Sequence, residues 1–127
     1  MNLPVILIVD DERGVRESLR MVFGKDFRVL EADSVDIAMH NVQEEKPAVV
    51  LLDIVMPNAN GLEVLKQIKT IHPACEVIML TALNLQGTAA KAMEFGAFDF
   101  IGKPFDVREL RGKVNRALEK ASQKRLG

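Results

Sequence analysis

The chain has 127 residues, 48% of them hydrophobic and 28% charged, with a formal net charge of −1. That length fits one domain with a real core, and the composition is that of a folded globular protein rather than a disordered one. Near-neutral charge gives no general attraction to nucleic acid or anionic lipid, and with no Trp and no Tyr any base stacking would fall to six Phe.

The first strand is predicted at Val5-Ile6-Leu7-Ile8-Val9, which has no polar alternation and so reads as covered on both faces. It runs into Asp10-Asp11. A helix follows from about Glu12 to Phe23, with Val15, Leu19, Val22 and Phe23 on one face and Gly24 as its αL stop. Phe27 to Glu31 forms the second strand. Ser34 caps a second helix that carries Ile37, Ala38 and Val42 and ends before Pro47. The run Ala48-Val49-Val50-Leu51-Leu52 forms the third strand and closes on Asp53. Beyond the loop Met56-Pro57-Asn58-Ala59-Asn60, Asn60 caps a third helix, with Glu63 at the capping-box position and Leu62, Leu65 and Ile68 facing inward.

Val77-Ile78-Met79-Leu80 is the fourth strand and runs into Thr81. The fourth helix, from about Asn84 to Phe95, carries Gly87, Thr88 and several alanines, so it has little anchoring bulk and is a candidate mobile element ended by Gly96. A fifth strand, Phe98 to Ile101, delivers Lys103-Pro104. The fifth helix starts at Asp106 and places Val107, Leu110, Val114 and Leu118 on one stripe, with Lys120, Lys124 and Arg125 suited to its C-terminal dipole. Five strand–helix alternations predict an α/β fold. It is a doubly wound, five-stranded parallel sheet of order 2-1-3-4-5 with helices on both faces, a flavodoxin-like arrangement.

In that order the ends of the first and third strands are neighbours at the switch point, where open α/β sheets bind ligands. Asp10, Asp11 and Asp53 converge there. Three close carboxylates repel one another unless one protonates or a cation intervenes. Mg²⁺ suits such an open cluster, because it takes a few carboxylates together with waters and a phosphate oxygen. Thr81 and Lys103 approach from the other side, and a hydroxyl with an ammonium is what a transferred phosphoryl group needs on its equatorial oxygens. Taken singly these signals are weak: an acidic pair after a strand is often a solvated loop, and a lysine before proline is often a surface lysine. Spacing alone gives a polyanionic metal site beside a lysine and a threonine.

The pattern resembles the receiver domain of bacterial two-component response regulators, CheY-like and NtrC-type. The residues that carry it are Val9-Asp10-Asp11-Glu12, Leu52-Asp53 with Met56-Pro57 and Gly61, Leu80-Thr81-Ala82, and Lys103-Pro104-Phe105, over about Leu3 to Leu118. The resemblance implies that Asp53 accepts a phosphoryl group from a partner kinase's phosphohistidine. It implies Mg²⁺ held directly by Asp11, mainly through water by Asp10, and also by Asp53 and the main-chain carbonyl of Val55. Lys103 then pairs with the phosphate, Thr81 moves to hydrogen-bond it, and Phe100 turns inward as Thr81 moves. The Lys103-Pro104 bond is expected to be cis. Phosphorylation is expected to change the surface of the fourth helix, fifth strand and fifth helix, with no turnover of a separate substrate. Val55 and Leu83 flank the attack path on the phosphoaspartate; both are apolar and cannot orient a hydrolytic water, so slow self-dephosphorylation is expected.

The partners implied are a sensor histidine kinase and an output domain or partner protein, with transcriptional regulation as the theme. The body is similar to receivers attached to AAA+ ATPase transcriptional activators with a DNA-binding part, and a homodimer remains open. The chain itself is expected to bind neither nucleic acid nor membrane. Residues 1–121 read as the receiver domain and 122–127 as a tail or the start of a linker. A rival of another class is a small Mg²⁺-dependent phosphohydrolase using Asp53 as nucleophile, but the usual general-acid position two residues on is Val55 and no cap segment is present. A flavin-binding protein of the same topology would need a first loop rich in Gly, Ser and Thr, and this loop is acidic. No apolar run is long enough to cross a bilayer, no signal peptide is evident, and Cys75 is alone, so a reducing cytoplasm is the expected location.

Overall fold

The computed structural model describes residues 2–57, 59–82 and 86–126. Its parallel strands are β1 (Val5–Val9), β2 (Arg28–Ala32), β3 (Val49–Asp53), β4 (Glu76–Thr81) and β5 (Asp99–Gly102). They form one sheet in the expected order β2-β1-β3-β4-β5. The helices are α1 (Arg13–Phe23), α2 (Val35–Glu45), α3 (Gly61–Ile71), α4 (Gln86–Glu94) and α5 (Val107–Leu126). The apolar runs lack alternation because both sheet faces are covered. Ile8, Leu51 and Leu80 pack with Leu19 of α1 and Leu110 of α5, whereas Val9, Leu52 and Met79 pack with Val42 of α2 and Leu65 of α3. Strand pairing of Val9 with Leu52, Asp53 with Leu80 and Thr81 with Gly102 brings the chemistry-bearing strand ends to one edge.

Several local expectations need correction. Gly24 is not an αL stop; it is right-handed, with φ −65° and ψ −16°, and its N–H bonds to the Arg20 carbonyl at 2.8 Å. The chain keeps turning, with the Phe27 N–H on the Phe23 carbonyl at 3.0 Å. A Cβ at position 24 would lie 2.7 Å from the Arg20 oxygen, so glycine is needed there for space, not for handedness. The left-handed helix end is Lys46, at φ 46° after α2. Phe27 falls just ahead of β2, with its ring edge-on to Phe23 at 5.7 Å and its N–H on the Phe23 carbonyl rather than on a neighbouring strand. The buried stripe of α5 is Leu110, Val114, Ala117 and Ala121, while Val107 is exposed. Ile37 of α2 is exposed as well.

Caps at Ser34 and Asn60 form as expected: Ser34 accepts from the Ile37 N–H and Asn60 from the Leu62 N–H. The loop before α3 holds a short antiparallel ladder, Val55–Met56 against Ala59–Asn60, which has too few residues to leave a sequence signal. The turn that follows α4 closes at Gly96, with φ 101°, and Ala92 is fully buried. The expected start of α4 at Asn84, and Leu83, lie outside the described residues. α5 continues unbroken through Leu126, so the boundary expected after residue 121 falls inside a helix. Among the described residues no helix is long and apolar enough to cross a membrane.

Gly61 controls how closely α3 approaches the end of β3. A Cβ there would lie 2.6 Å from the Ile54 Cα and 2.9 Å from the Asp53 carbonyl oxygen, both backbone atoms that cannot rotate away. Gly61→Ala is expected to lower stability in urea unfolding by about 2–3 kcal/mol, the upper range for overpacking. An unchanged midpoint would contradict this packing.

Candidate functional site

Asp10 leaves the end of β1 fully buried, at 0% exposure, and each of its polar groups has a partner. Its N–H donates to the Ala32 carbonyl at 3.1 Å, and its own carbonyl accepts from Arg16 Nη1 at 2.8 Å. Oδ1 accepts from the Glu12 N–H at 2.9 Å, and Oδ2 accepts from Lys103 Nζ at 2.7 Å. Asp53, the last residue of β3, is 3% exposed. Its Oδ1 accepts from the Val55 N–H at 3.0 Å, and its Oδ2 from Lys103 Nζ at 3.3 Å. The same ammonium lies 3.7 Å from Glu12 Oε1. One lysine, delivered from beyond β5, thus joins carboxylates that arrive on two other strands. The Lys103-Pro104 peptide bond is cis, and the Lys103 N–H bonds to the Thr81 carbonyl at 2.7 Å.

Asp10, Asp11 and Glu12 bring carboxylate oxygens within 4.8 Å of one another, and Asp11 and Glu12 are exposed. Glu12 is the site residue that sequence reasoning left without a role. The available signal was a third consecutive acid, which reads equally well as a helix start. Asp53 is not part of this trio but shares the Lys103 ammonium with Asp10. An open cavity of about 420 Å³ adjoins Asp11, lined also by Asp33, Ser34 and Pro57. Thr81 sits half-buried at the end of β4, beside the lysine's main chain. Phe100 is 39% exposed and turned outward, with Lys113 Nζ 5.7 Å from its ring and 2.7 Å from its carbonyl.

Residues 6–115 match the family described as the response regulator receiver domain. The chain belongs to that family. Chemotaxis protein CheY of Listeria monocytogenes is 42% identical over 120 residues, covering 93% of this chain and 98% of CheY. Regulatory protein AtoC of Escherichia coli is 40% identical over 121 residues, covering 94% of this chain but only 26% of AtoC, so the chain spans about a quarter of that relative's length. The crystal structure of the receiver domain of NtrX from Brucella abortus matches with a TM-score of 0.85 at 34% identity, covering 90% of this chain and 98% of that one. The protein is therefore a CheY-like, NtrC-type receiver of a two-component system, competent for phosphorylation. The family match is to a receiver domain and gives no support to the phosphohydrolase reading.

The receiver's electrostatics follow from this crowding. Burial pushes the Asp53 carboxyl above its ordinary value; the Val55 N–H opposes this, the neighbouring Asp10 charge adds to it, and Lys103 offsets part of it. For Lys103, burial alone would favour the neutral amine, but the hydrogen bond and charge of Asp10, followed by those of Asp53, hold its value above the ordinary one. The folded chain therefore binds the Asp53 proton more tightly than the unfolded chain does. The matching stability is present below the ordinary value of 3.8 and lost as pH rises through the folded-state value. Asp53→Asn is accordingly expected to melt several degrees above the wild-type receiver in EDTA at neutral pH, with the gap closing as pH falls toward 3.8. Equal melting temperatures across that range would contradict the assignment of Asp53 as a strained buried carboxylate.

Proposed function

We propose that Asp53 accepts a phosphoryl group from the phosphohistidine of a partner sensor histidine kinase, and that the resulting acyl phosphate switches the receiver's output surface. The observation that carries this reading is Lys103 Nζ lying within 3.3 Å of carboxylates from two different strands, beside the exposed acids Asp11 and Glu12. In the transfer, the P–N bond to the kinase imidazole breaks as a P–O bond to the Asp53 carboxylate forms. Val55 holds one Asp53 oxygen through its N–H, which leaves the other free to attack once Lys103 turns toward the incoming phosphoryl oxygens. The shorter Lys103 contact goes to Asp10, so the lysine has a resting partner while Asp53 is unmodified.

The donor set fits Mg²⁺, since it consists of hard carboxylate oxygens gathered at an open edge. Both oxygens of Asp10 are already engaged, which suits a role through water. Asp11 would hold the ion directly, with Asp53, the Val55 carbonyl and Glu12 as the remaining protein oxygens. When bound, Mg²⁺ supplies charge neutralisation for the carboxylates and the phosphoryl oxygens. Thr81 then hydrogen-bonds the phosphate, and Phe100 turns from its exposed position into the space this opens. The face built from α4, β5 and α5 changes shape and governs an output domain or partner protein, with transcriptional regulation as the proposed output. AtoC, a regulatory protein far longer than this chain, supports the presence of an output domain.

Treatment with acetyl phosphate and MgCl₂ is expected to add one hydroxylamine-labile phosphoryl group, seen by intact mass, to the wild-type chain. No adduct is expected on Asp53→Asn or in EDTA. Because Val55 is exposed and apolar, and Leu83 is also apolar, the adduct is expected to outlast seconds after the donor is removed. Labelling of Asp53→Asn would overturn the acceptor assignment, and loss within seconds would overturn the slow-decay reading.

A further inference from the structure

The acidic loop has a support that lies outside its motif. Arg16 sits on α1 with its side chain only 14% exposed. Nη1 donates to the Asp10 carbonyl at 2.8 Å, and Nε donates to Glu31 Oε1 at 3.1 Å. Glu31 lies on β2, and its other oxygen accepts from Arg20 Nε at 2.6 Å. Arg20 also reaches the Val29 carbonyl at 3.3 Å. Two arginines one helical turn apart therefore hold one carboxylate on the neighbouring strand, and Arg16 extends that brace to the loop that carries Asp11 and Glu12.

We propose that Arg16 is a positioning residue for the cation-binding carboxylates; this rests on the metal-dependent reading of the site given above. A peptide group is planar, so a hydrogen bond that fixes the Asp10 carbonyl also fixes the Asp11 N–H and the position of the Asp11 Cα from which its side chain leaves. The Asp10 N–H is tied to Ala32 on the opposite side. The loop is thus held before and after Asp10, and two exposed acids that would otherwise be driven apart stay within reach of one ion. The guanidinium shape matters here. Its fork directs one N–H to Glu31 and another to the Asp10 carbonyl, which a point-like ammonium cannot do in the same geometry. Charge alone is a minor part of the effect, because the bond to the loop is made to a carbonyl and Glu31 offsets the positive charge.

The test is Mg²⁺ binding by isothermal titration with MgCl₂ on the 127-residue chain, beside thermal melts in EDTA. Arg16→Met is expected to bind roughly 10–100-fold more weakly than wild type, the usual loss when a group supporting metal ligands is removed. Arg16→Lys is expected to remain as weak. Glu31→Ala, which removes the brace on Arg16 without touching the loop, is expected to fall between Arg16→Met and wild type. A lowered melting temperature with unchanged affinity of the folded protein would mean a merely structural role and overturn the proposal. Recovery of affinity by Arg16→Lys would overturn it too, since charge would then suffice. Wild-type protein with no saturable Mg²⁺ binding would overturn the underlying reading of the site and this inference with it.

Discussion

The shared ammonium of Lys103 is the interaction on which this receiver's architecture turns. Asp10 and Asp53 end two adjacent strands in the middle of the sheet, both almost wholly removed from water. Two neighbouring buried carboxylates repel each other, and each loses hydration, so the arrangement persists only with a cation between them. Removing the lysine, which would leave both carboxylates buried without a counter-charge, is expected to cost about 3–5 kcal/mol. A lysine delivered from beyond β5, at the far side of Asp53 from β1, supplies that cation while tying together elements distant in the chain. The price is an incompletely satisfied Asp53: its lysine contact is 3.3 Å, against 2.7 Å for Asp10. Of the two carboxylates that share the lysine, the one assigned as acceptor is thus the less tightly held.

The opposite end of the same sheet uses buried charge differently. Glu76, at the start of β4, is also buried, with Lys69 of α3 at 3.2 Å and Lys120 of α5 at 3.6 Å. Lys69 further donates to the Cys75 carbonyl at 2.6 Å. This cluster closes on helices and secures α3 and α5 to the base of the sheet. α4 has less to hold it. Among its described residues, the anchors are the buried Ala92 and, just past its end, the Phe95 ring under Lys66 at 4.1 Å. A helix held near its C-terminal end suits the moving part of a switch.

Much of the site was legible because a strand covered on both faces leaves a carboxylate few places to sit except its end. That is why the apolar runs pointed directly to Asp10 and Asp53, and why five alternations sufficed for the strand order. Glu12 and Arg16 were harder to see. A glutamate and an arginine in the first turns of an amphipathic helix look like solvated surface, and the Arg16–Glu31 contact depends on how α1 lies across β2, which periodicity does not encode. Gly24 was misjudged for a similar reason, since its small size serves a backbone approach rather than a left-handed turn. The inward position of Val107 failed because two alanines, Ala117 and Ala121, complete the buried stripe of α5.

The central claim is that one divalent ion binds where these strand ends meet. It is tested most directly by following the backbone amide NMR spectrum during titration with MgCl₂. Saturable shifts are expected for Asp11, Glu12, Val55 and Lys103, with Glu76 and Lys120 at the far end of the sheet unmoved. Shifts scattered over the whole surface, or none below concentrations that perturb any acidic protein, would contradict the account.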